Sequence, residues 1–138
     1  DIHAGGVDLI FPHHENEIAQ SEAAYGKKFV RFFVEGEHLL IEKKKMSKSL
    51  GNLFTLQDLQ AKGFGPLDFR YLVLTAHYRS PLSFSWRSLE AARMARRKLK
   101  EAAFRAKKSK AKSSAAFEKE FLQALNNDLD TPRALALT

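Results

Sequence analysis

The sequence predicts an α/β part followed by an all-α part, and three observations predict this fold class. Residues 13–25 have the pattern of a helix, whereas residues 28–34 and 39–41 are rich in β-branched and aromatic side chains, as strands are. A polar stretch over residues 43–52 is typical of a loop and separates these elements from the rest. After Pro66 the apolar residues recur at helical spacing, so we expect only helices there.

The first helix is bounded by a proline and a glycine. A turn at Ala4-Gly5-Gly6 leads into a short apolar piece over residues 7–11. Pro12 then stands where a first helical residue would be, because its missing N–H costs nothing at that position. Gly26 can end the helix in the left-handed conformation. We therefore expect this helix to cover residues 13–25, ahead of a strand over 28–34.

Four helices are predicted after the polar stretch. Thr55 is expected to cap a helix that runs through Ala61, with Asp58 as its partner in a capping box. Glycines and a proline at positions 63–66 break this helix, and residues 68–77 form the next one. Ser88 is expected to cap a long helix that runs into a Lys/Ser/Ala-rich linker over 107–114. Residues 117–125 then form an amphipathic helix, and a polar turn precedes another helical start.

Length and composition exclude several classes of protein. The 138 residues suffice for one compact domain or for pieces of two, and a hydrophobic content of 44% argues against a chain that is disordered throughout. No run of 18 apolar residues predicts a membrane span. There is no cysteine, which excludes disulfides and thiolate nucleophiles within the chain and fits a cytoplasmic protein. Because the chain opens at Asp1 and stops at Thr138 within an apolar pattern, we expect a fragment.

The positive charge is concentrated in one segment. The chain carries 23 lysines and arginines against 16 acidic residues, a formal net charge of +7. Between Arg87 and Lys112 there are 11 basic and two acidic residues, so this basic tract is +9 and the remainder is −2. Such a tract attracts a polyanion, usually nucleic acid. The alternative is a solvated helix face followed by a disordered basic linker.

His13 and Glu17 are the first candidate site residues. Residues four apart share a helix face, so the imidazole and the carboxylate can converge on one point. Together they supply half of a tetrahedral zinc site, although an exposed helix pair is the more common outcome of this spacing. The corresponding partners of His14 are Glu17 and Ile18, which is a less convincing arrangement. Without cysteine in the chain, the remaining ligands would have to come from outside it.

The second candidate is the string Lys45-Met46-Ser47-Lys48-Ser49. Two lysines three residues apart, small hydroxyl groups and a nearby glycine suit a loop that binds polyphosphate, because lysine is a movable point charge. A third cluster is His3, Gly5, Gly6 and Asp8, where glycine allows close approach to a ligand and a carboxylate can accept from a ribose hydroxyl. The alternative for the lysine string is a solvated basic turn, and the alternative for the His3 cluster is an ordinary Gly-Gly turn.

Taken together, three segments resemble the cysteinyl-tRNA synthetases, a family of class I aminoacyl-tRNA synthetases. They are residues 1–20, with Phe-Pro-His-His-Glu-Asn-Glu at their centre, residues 45–52 (Lys-Met-Ser-Lys-Ser-Leu-Gly-Asn), and residues 76–82 (Ala-His-Tyr-Arg-Ser-Pro-Leu). The resemblance implies that residues 1–40 are the C-terminal part of a Rossmann catalytic domain. It further implies a stem-contact region with the KMSKS loop over 41–80, and the start of a helical anticodon-binding domain over 81–138.

The resemblance also implies roles for single residues. His13 and Glu17 match two zinc ligands of the family, whose two cysteines would lie outside this chain. The remaining implied assignments are His3 beside the amino-acid pocket, Gly6 and Asp8 at the adenosine site, and Lys48 on ATP with Lys45 supporting it. Mg²⁺ would accompany ATP. The sequence departs from the family at residues 33–37, where Phe-Val-Glu-Gly-Glu replaces the common Trp-x-His-x-Gly.

The implied function is the ATP-dependent joining of L-cysteine to tRNA(Cys), without a membrane partner, by a protein of which this chain is an incomplete and inactive part. One alternative is a ligase that makes the same adenylate but joins cysteine to an amino-sugar, as mycothiol ligases do. Asn16 and Glu17 after the His-His-Glu string, together with the basic tract, favour tRNA over that substrate. A second alternative is a non-catalytic RNA-binding module built on the basic helix alone.

Overall fold

A computed structural model describes residues 1–41, 44–45, 53–109 and 114–138 of the protein. These residues form two compact units. The first unit consists of residues 1–38 and 78–81, and the second of residues 39–77 and 82–138. Most of the predicted KMSKS loop, including Lys48, lies outside the described residues.

The first unit is built on a strand–helix–strand crossover. Strand β1 (Ile2–Gly6) pairs in parallel with β2 (Phe32–Gly36), in a register that runs from Ile2 opposite Phe32 to Gly6 opposite Gly36. Helix α1 (Glu15–Tyr25) connects the two strands, as a parallel pair requires. Gly26 ends α1 with φ of +62°, which confirms the predicted left-handed stop.

Two boundaries in the first unit differ from the sequence prediction. Helix α1 begins at Glu15 rather than at His13, after a 3₁₀ turn (Val7–Leu9) and an irregular helical segment (Ile10–His14) in which Phe11 is extended, with φ of −132°. The second strand begins at Phe32, four residues later than predicted. The amide of Phe29 donates to the Glu22 carboxylate at 3.1 Å, so this part of the chain is tied to α1 instead of to the strand ladder.

The second unit contains a small sheet that the sequence prediction missed in part. Its order is β4 (Lys44–Lys45), β3 (Leu39–Ile41) and β5 (Leu82–Phe84), with β3 antiparallel to β4 and parallel to β5. The expectation of helices alone after Pro66 was therefore wrong. A three-residue strand is too short to show periodicity, and β5 is fixed by its pairing with β3 and by the burial of Phe84, which is 2% exposed.

The helices of the second unit are capped by short polar side chains. Helix α2 (Leu56–Ala61) has the predicted capping box between Thr55 and Asp58. Helix α4 (Trp86–Lys108) is capped by Ser85, so the predicted cap at Ser88 was wrong. Ser88 is instead the third helical residue, and its hydroxyl accepts from the Ser85 amide at 2.9 Å to complete a capping box.

The remaining helices are α3 (Pro66–Leu74), α5 (Ala115–Asn126) and α6 (Thr131–Ala136). The core of the second unit lies between the β3–β5 pair and the helices α2, α3 and α4. Its buried residues are Ile41, Leu59, Leu72, Phe84, Leu89 and Ala92. None of the helices within the described ranges combines the length and apolar character needed to cross a membrane.

Candidate metal centre

The first unit brings histidine and glutamate side chains from three elements together. In the parallel register His3 lies opposite Phe33 and Gly5 lies opposite Glu35. Because side chains alternate along a strand, these four positions share one face of the two-stranded sheet. The segment before α1 and the first turn of α1 contribute His13, His14 and Glu17.

Glu17 is the centre of the cluster because its two carboxylate oxygens face different histidines. Oε1 lies 3.5 Å from Nε2 of His13, one helical turn earlier. Oε2 lies 2.8 Å from Nε2 of His3 on β1. The Glu17 side chain is 32% exposed and that of His13 is 58% exposed, so both side chains are accessible to a ligand.

The His13–Glu17 spacing fits a shared zinc ion. With Zn–N near 2.0–2.1 Å, Zn–O near 2.0–2.2 Å and tetrahedral angles, two ligand atoms lie about 3.4 Å apart. The observed separation of 3.5 Å agrees with this value. The His3–Glu17 separation of 2.8 Å is shorter than two ligands of one zinc allow, and is the length of a charge-assisted hydrogen bond. The geometry thus supports His13 and Glu17 as ligands and His3 as a donor to Glu17.

His14 is buried and is held by a carboxylate from the neighbouring strand. It is 3% exposed, and its Nδ1 lies 2.8 Å from Oε1 of Glu35 on β2. Its ring edge occupies the space above Gly5, where an ideal Cβ would lie 2.7 Å from Cε1 and 2.9 Å from Nε2. It also meets the His3 ring edge-on at a centroid distance of 4.9 Å.

A second donor set is present in the same place. His3, His14 and Glu17 each offer one ligand atom within 4.8 Å of the others, the one such group of three or more found in the described part of the chain. Within this set His3 is already hydrogen-bonded to Glu17 at 2.8 Å, which is too short for two ligands of one zinc, whereas the contact of His14 Nδ1 with Glu35 leaves Nε2 of His14 available. We therefore favour the pair His13 and Glu17, and the two sets are separable by experiment.

The other predicted site residues are Gly6, Asp8 and Lys45, and Lys48, which lies outside the described residues. Asp8 lies in the 3₁₀ turn after β1, half-exposed, with Oδ1 3.9 Å from Nδ1 of His38. Its carboxylate covers Gly6, where a Cβ would overlap Oδ1, so a larger residue at that position would require the exposed Asp8 side chain to move. Lys45 lies in β4.

Sequence analysis missed the pairing of His14 with Glu35. Helical spacing offers His14 only the neighbours three and four residues along α1, whereas its partner comes from a strand that is distant in sequence. The pairing of β1 with β2 would have indicated this contact. A register that sets Gly5 opposite Glu35 leaves space above the glycine, next to the Glu35 carboxylate, and a ring can occupy that space. That register could not be read from the sequence, since the predicted strand ended at residue 34.

Comparison with known proteins identifies the chain's relatives. A family model described as the tRNA synthetases class I (C) catalytic domain matches residues 1–94. A cysteine–tRNA ligase of Solibacter usitatus is 49% identical over 145 residues and covers 99% of this chain. One from Opitutus terrae is 50% identical over 135 residues and covers 98%, and one from Chlamydia trachomatis serovar D is 46% identical over 146 residues and covers 99%. The chain spans 29–31% of the length of these relatives.

Proposed function

Because the chain belongs to the family of class I (C) tRNA synthetase catalytic domains, we propose that it is part of a cysteine–tRNA ligase. In the first step, a carboxylate oxygen of cysteine attacks the α-phosphorus of ATP and pyrophosphate leaves, giving cysteinyl-adenylate. In the second, a terminal ribose hydroxyl of tRNA(Cys) takes the cysteinyl group and AMP leaves. The observation that carries the proposal is the His13–Glu17 pair, spaced 3.5 Å apart as zinc ligands are, in a chain with close relatives of this activity.

His13 and Glu17 would hold zinc together with two ligands from outside this chain, which has no cysteine to offer. When bound there, zinc supplies a site that prefers a thiolate to a neutral hydroxyl and so distinguishes cysteine from serine. The protein's own part is to hold His13, in the segment just before α1, four residues ahead of Glu17 in the first turn of α1, and to hold the Glu17 carboxylate through His3, at 2.8 Å. His3 thus borders the pocket that the substrate side chain would enter.

The nucleotide half of the site is assigned by resemblance to the family. Gly6 and Asp8 are proposed to line the adenosine site, which suits a backbone without a Cβ beside an exposed carboxylate. Lys48, with Lys45, is proposed to meet the charge of the ATP phosphates alongside Mg²⁺. Residues 1–40, 41–80 and 81–138 are proposed as the end of the Rossmann domain, the stem-contact region with the KMSKS loop, and the start of the anticodon-binding domain.

Cysteine-dependent exchange between pyrophosphate and ATP tests the proposal in the full-length protein that carries this sequence. We expect exchange with cysteine, at least 10²-fold slower exchange with serine, and transfer of cysteine to tRNA(Cys). Exchange followed by transfer to an amino-sugar instead of tRNA would support the alternative ligase. RNA binding without any exchange would support the non-catalytic module and contradict the proposal.

Lys48→Ala tests the assignment of the KMSKS loop. Loss of one donor that meets the phosphate charge in the transition state should slow exchange by roughly 10²–10³-fold. Lys27→Ala, which removes an exposed lysine just beyond α1, is the matched control and should leave the rate unchanged. A normal exchange rate in Lys48→Ala would refute this role.

A further inference from the structure

We propose that Glu35 is a positioning residue for the metal centre: it holds His14, and through His14 and His3 it fixes the Glu17 carboxylate. The inference rests on the proposed zinc site but concerns residues that the family resemblance does not assign. Glu35 also stands in the segment where the sequence departs from the family's common Trp-x-His-x-Gly pattern.

The first of the contacts that link Glu35 to Glu17 is the one between Glu35 and His14. Oε1 of Glu35 lies 2.8 Å from Nδ1 of His14, and the two side chains are only 14% and 4% exposed. A carboxylate can only accept, so Nδ1 must carry the proton and donate it to Glu35. This fixes one tautomer and one ring orientation for His14, with its Cε1–Nε2 edge against Gly5.

The burial of the Glu35 carboxylate is energetically unfavourable, and packing of the fold alone gives no reason for a charged residue at this position. Its second oxygen, Oε2, is buried and has no hydrogen-bond partner among the described residues. Burying a carboxylate with an unsatisfied oxygen is unfavourable, so an apolar residue would serve packing better at this position. A role in orienting His14 accounts for the carboxylate.

The next contacts lead from His14 to Glu17. The His14 ring meets His3 at an interplanar angle of 75° and a centroid distance of 4.9 Å, which limits how the His3 ring can turn. His3 is packed on its other sides by Phe29 and Phe33, at 5.3 and 5.7 Å. Held in this way, His3 keeps Nε2 at 2.8 Å from Oε2 of Glu17, which leaves Oε1 directed toward His13.

Groups that are hydrogen-bonded directly to a metal ligand typically change metal affinity by 10–100-fold when they are altered, and for Glu35, which acts through His14 and His3, we expect an effect at the lower end of this range. The test is the zinc dissociation constant of the full-length protein, measured by competition with a chromophoric chelator. Glu35→Asp keeps the charge but shortens the reach, so it should break the contact with His14 and weaken zinc binding at least 10-fold. Glu35→Gln keeps the reach and an acceptor oxygen for Nδ1–H, so it should remain within about threefold of the wild type.

Two controls separate positioning from general effects. Glu37→Gln alters a carboxylate two residues away that accepts a hydrogen bond from the His38 amide, and this variant should bind zinc as the wild type does. The unfolding midpoint of each variant is measured in the presence of excess chelator, so that a change in fold stability is seen separately from a change in zinc affinity.

The outcomes distinguish this inference from the proposed function. If the wild type binds no zinc, the proposed metal site fails and the inference fails with it. If the wild type binds zinc and Glu35→Asp binds it equally well, only the inference is overturned. It is likewise overturned if Glu35→Gln loses as much affinity as Glu35→Asp, because charge rather than hydrogen-bond reach would then be responsible.

Discussion

At the scale of single residues, Gly5 shows how the absence of a side chain makes room for the histidine–glutamate cluster. The His14 ring lies where a Cβ at position 5 would be, 2.7 Å from the ring's Cε1 and 3.0 Å from a methyl group of Leu9. The His14 ring cannot withdraw easily, because it is bonded to Glu35 and is almost completely buried. Glycine is therefore needed for close packing here, although its φ is not in the left-handed region.

Gly5→Ala should displace the His14 ring and with it the support of His3 and Glu17. We expect the free energy of unfolding to fall by about 1–3 kcal/mol, the usual cost of overpacking, and zinc affinity to fall as well. Gly36→Ala is the matched control in the adjacent strand, because a Cβ there would lie 3.7 Å from the nearest atom. Chemical denaturation and chelator competition measure the two effects. Equal behaviour of the two variants would contradict the packing described here.

The convergence of the His13 and Glu17 side chains was predictable from the sequence because it depends on local spacing. The four-residue spacing of His13 and Glu17 brought their side chains within 3.5 Å, as helix geometry requires. The contacts His3–Glu17 and His14–Glu35 depend on how strands pair and on where α1 crosses them, which periodicity does not determine. His14 was accordingly undervalued and Glu35 was not considered as a site residue.

At the scale of elements, α3 and α4 are joined by a buried carboxylate. Asp68 is 3% exposed, and it accepts from the Gly65 amide at 2.8 Å and from Arg96 Nε at 2.7 Å. Burial alone would raise the pKa of Asp68, but these hydrogen bonds and the charges of Arg96 and Arg93 outweigh burial and lower it. The same carboxylate thus completes the N-terminus of α3 and ties it to α4.

Because its pKa is lowered, the Asp68 carboxylate stabilises the contact between α3 and α4 at neutral pH and loses this effect as the pH falls. The contribution of Asp68 to stability is fully present above its unfolded-state pKa, near 3.9, and is lost as pH falls through the lower folded-state pKa. Asp68→Asn should therefore lower the free energy of unfolding by about 1.5–3 kcal/mol at pH 7 and by much less at pH 2. Urea titrations at both pH values measure this difference.

Asp58→Asn is the control for that experiment, because Asp58 is exposed and its pKa is lowered only by hydrogen bonds within its own capping box. At pH 7, Asp58→Asn should lower the free energy of unfolding by less than Asp68→Asn does. An Asp68→Asn penalty that is the same at both pH values would contradict the assigned role of the charge.

Element boundaries were predictable where a local signal exists. Gly26 at the end of α1 and the Thr55–Asp58 box before α2 were predicted correctly, because caps depend on a few neighbouring residues. The strand β5 and the late start of β2 were not predicted, because both depend on pairing with a strand that is distant in sequence. The cap of α4 fell on Ser85 instead of Ser88 because both serines offer a hydroxyl, and the helix begins at the earlier one.

At the scale of the whole molecule, the basic tract is the feature most relevant to a polyanionic partner, but it is not all available to one. Arg96 is paired with Asp68, and Arg93 is paired with Glu90 and lies over the Phe64 ring at 4.7 Å. These two arginines stabilise the second unit. The basic side chains in the second half of α4 belong to exposed residues, and we expect those to meet RNA.

The central claim is that His13 and Glu17 are half of a zinc site whose other half lies outside this chain. Zinc K-edge absorption of the full-length protein, recorded without cysteine or added thiols, tests it most directly. We predict sulfur neighbours at about 2.3 Å together with nitrogen and oxygen at about 2.0–2.2 Å. Because the chain contains no cysteine, such sulfur must come from other parts of the protein. A shell of nitrogen and oxygen alone, with zinc retained in His13→Ala and lost in His14→Ala, would contradict the claim and favour His3, His14 and Glu17 as the ligands.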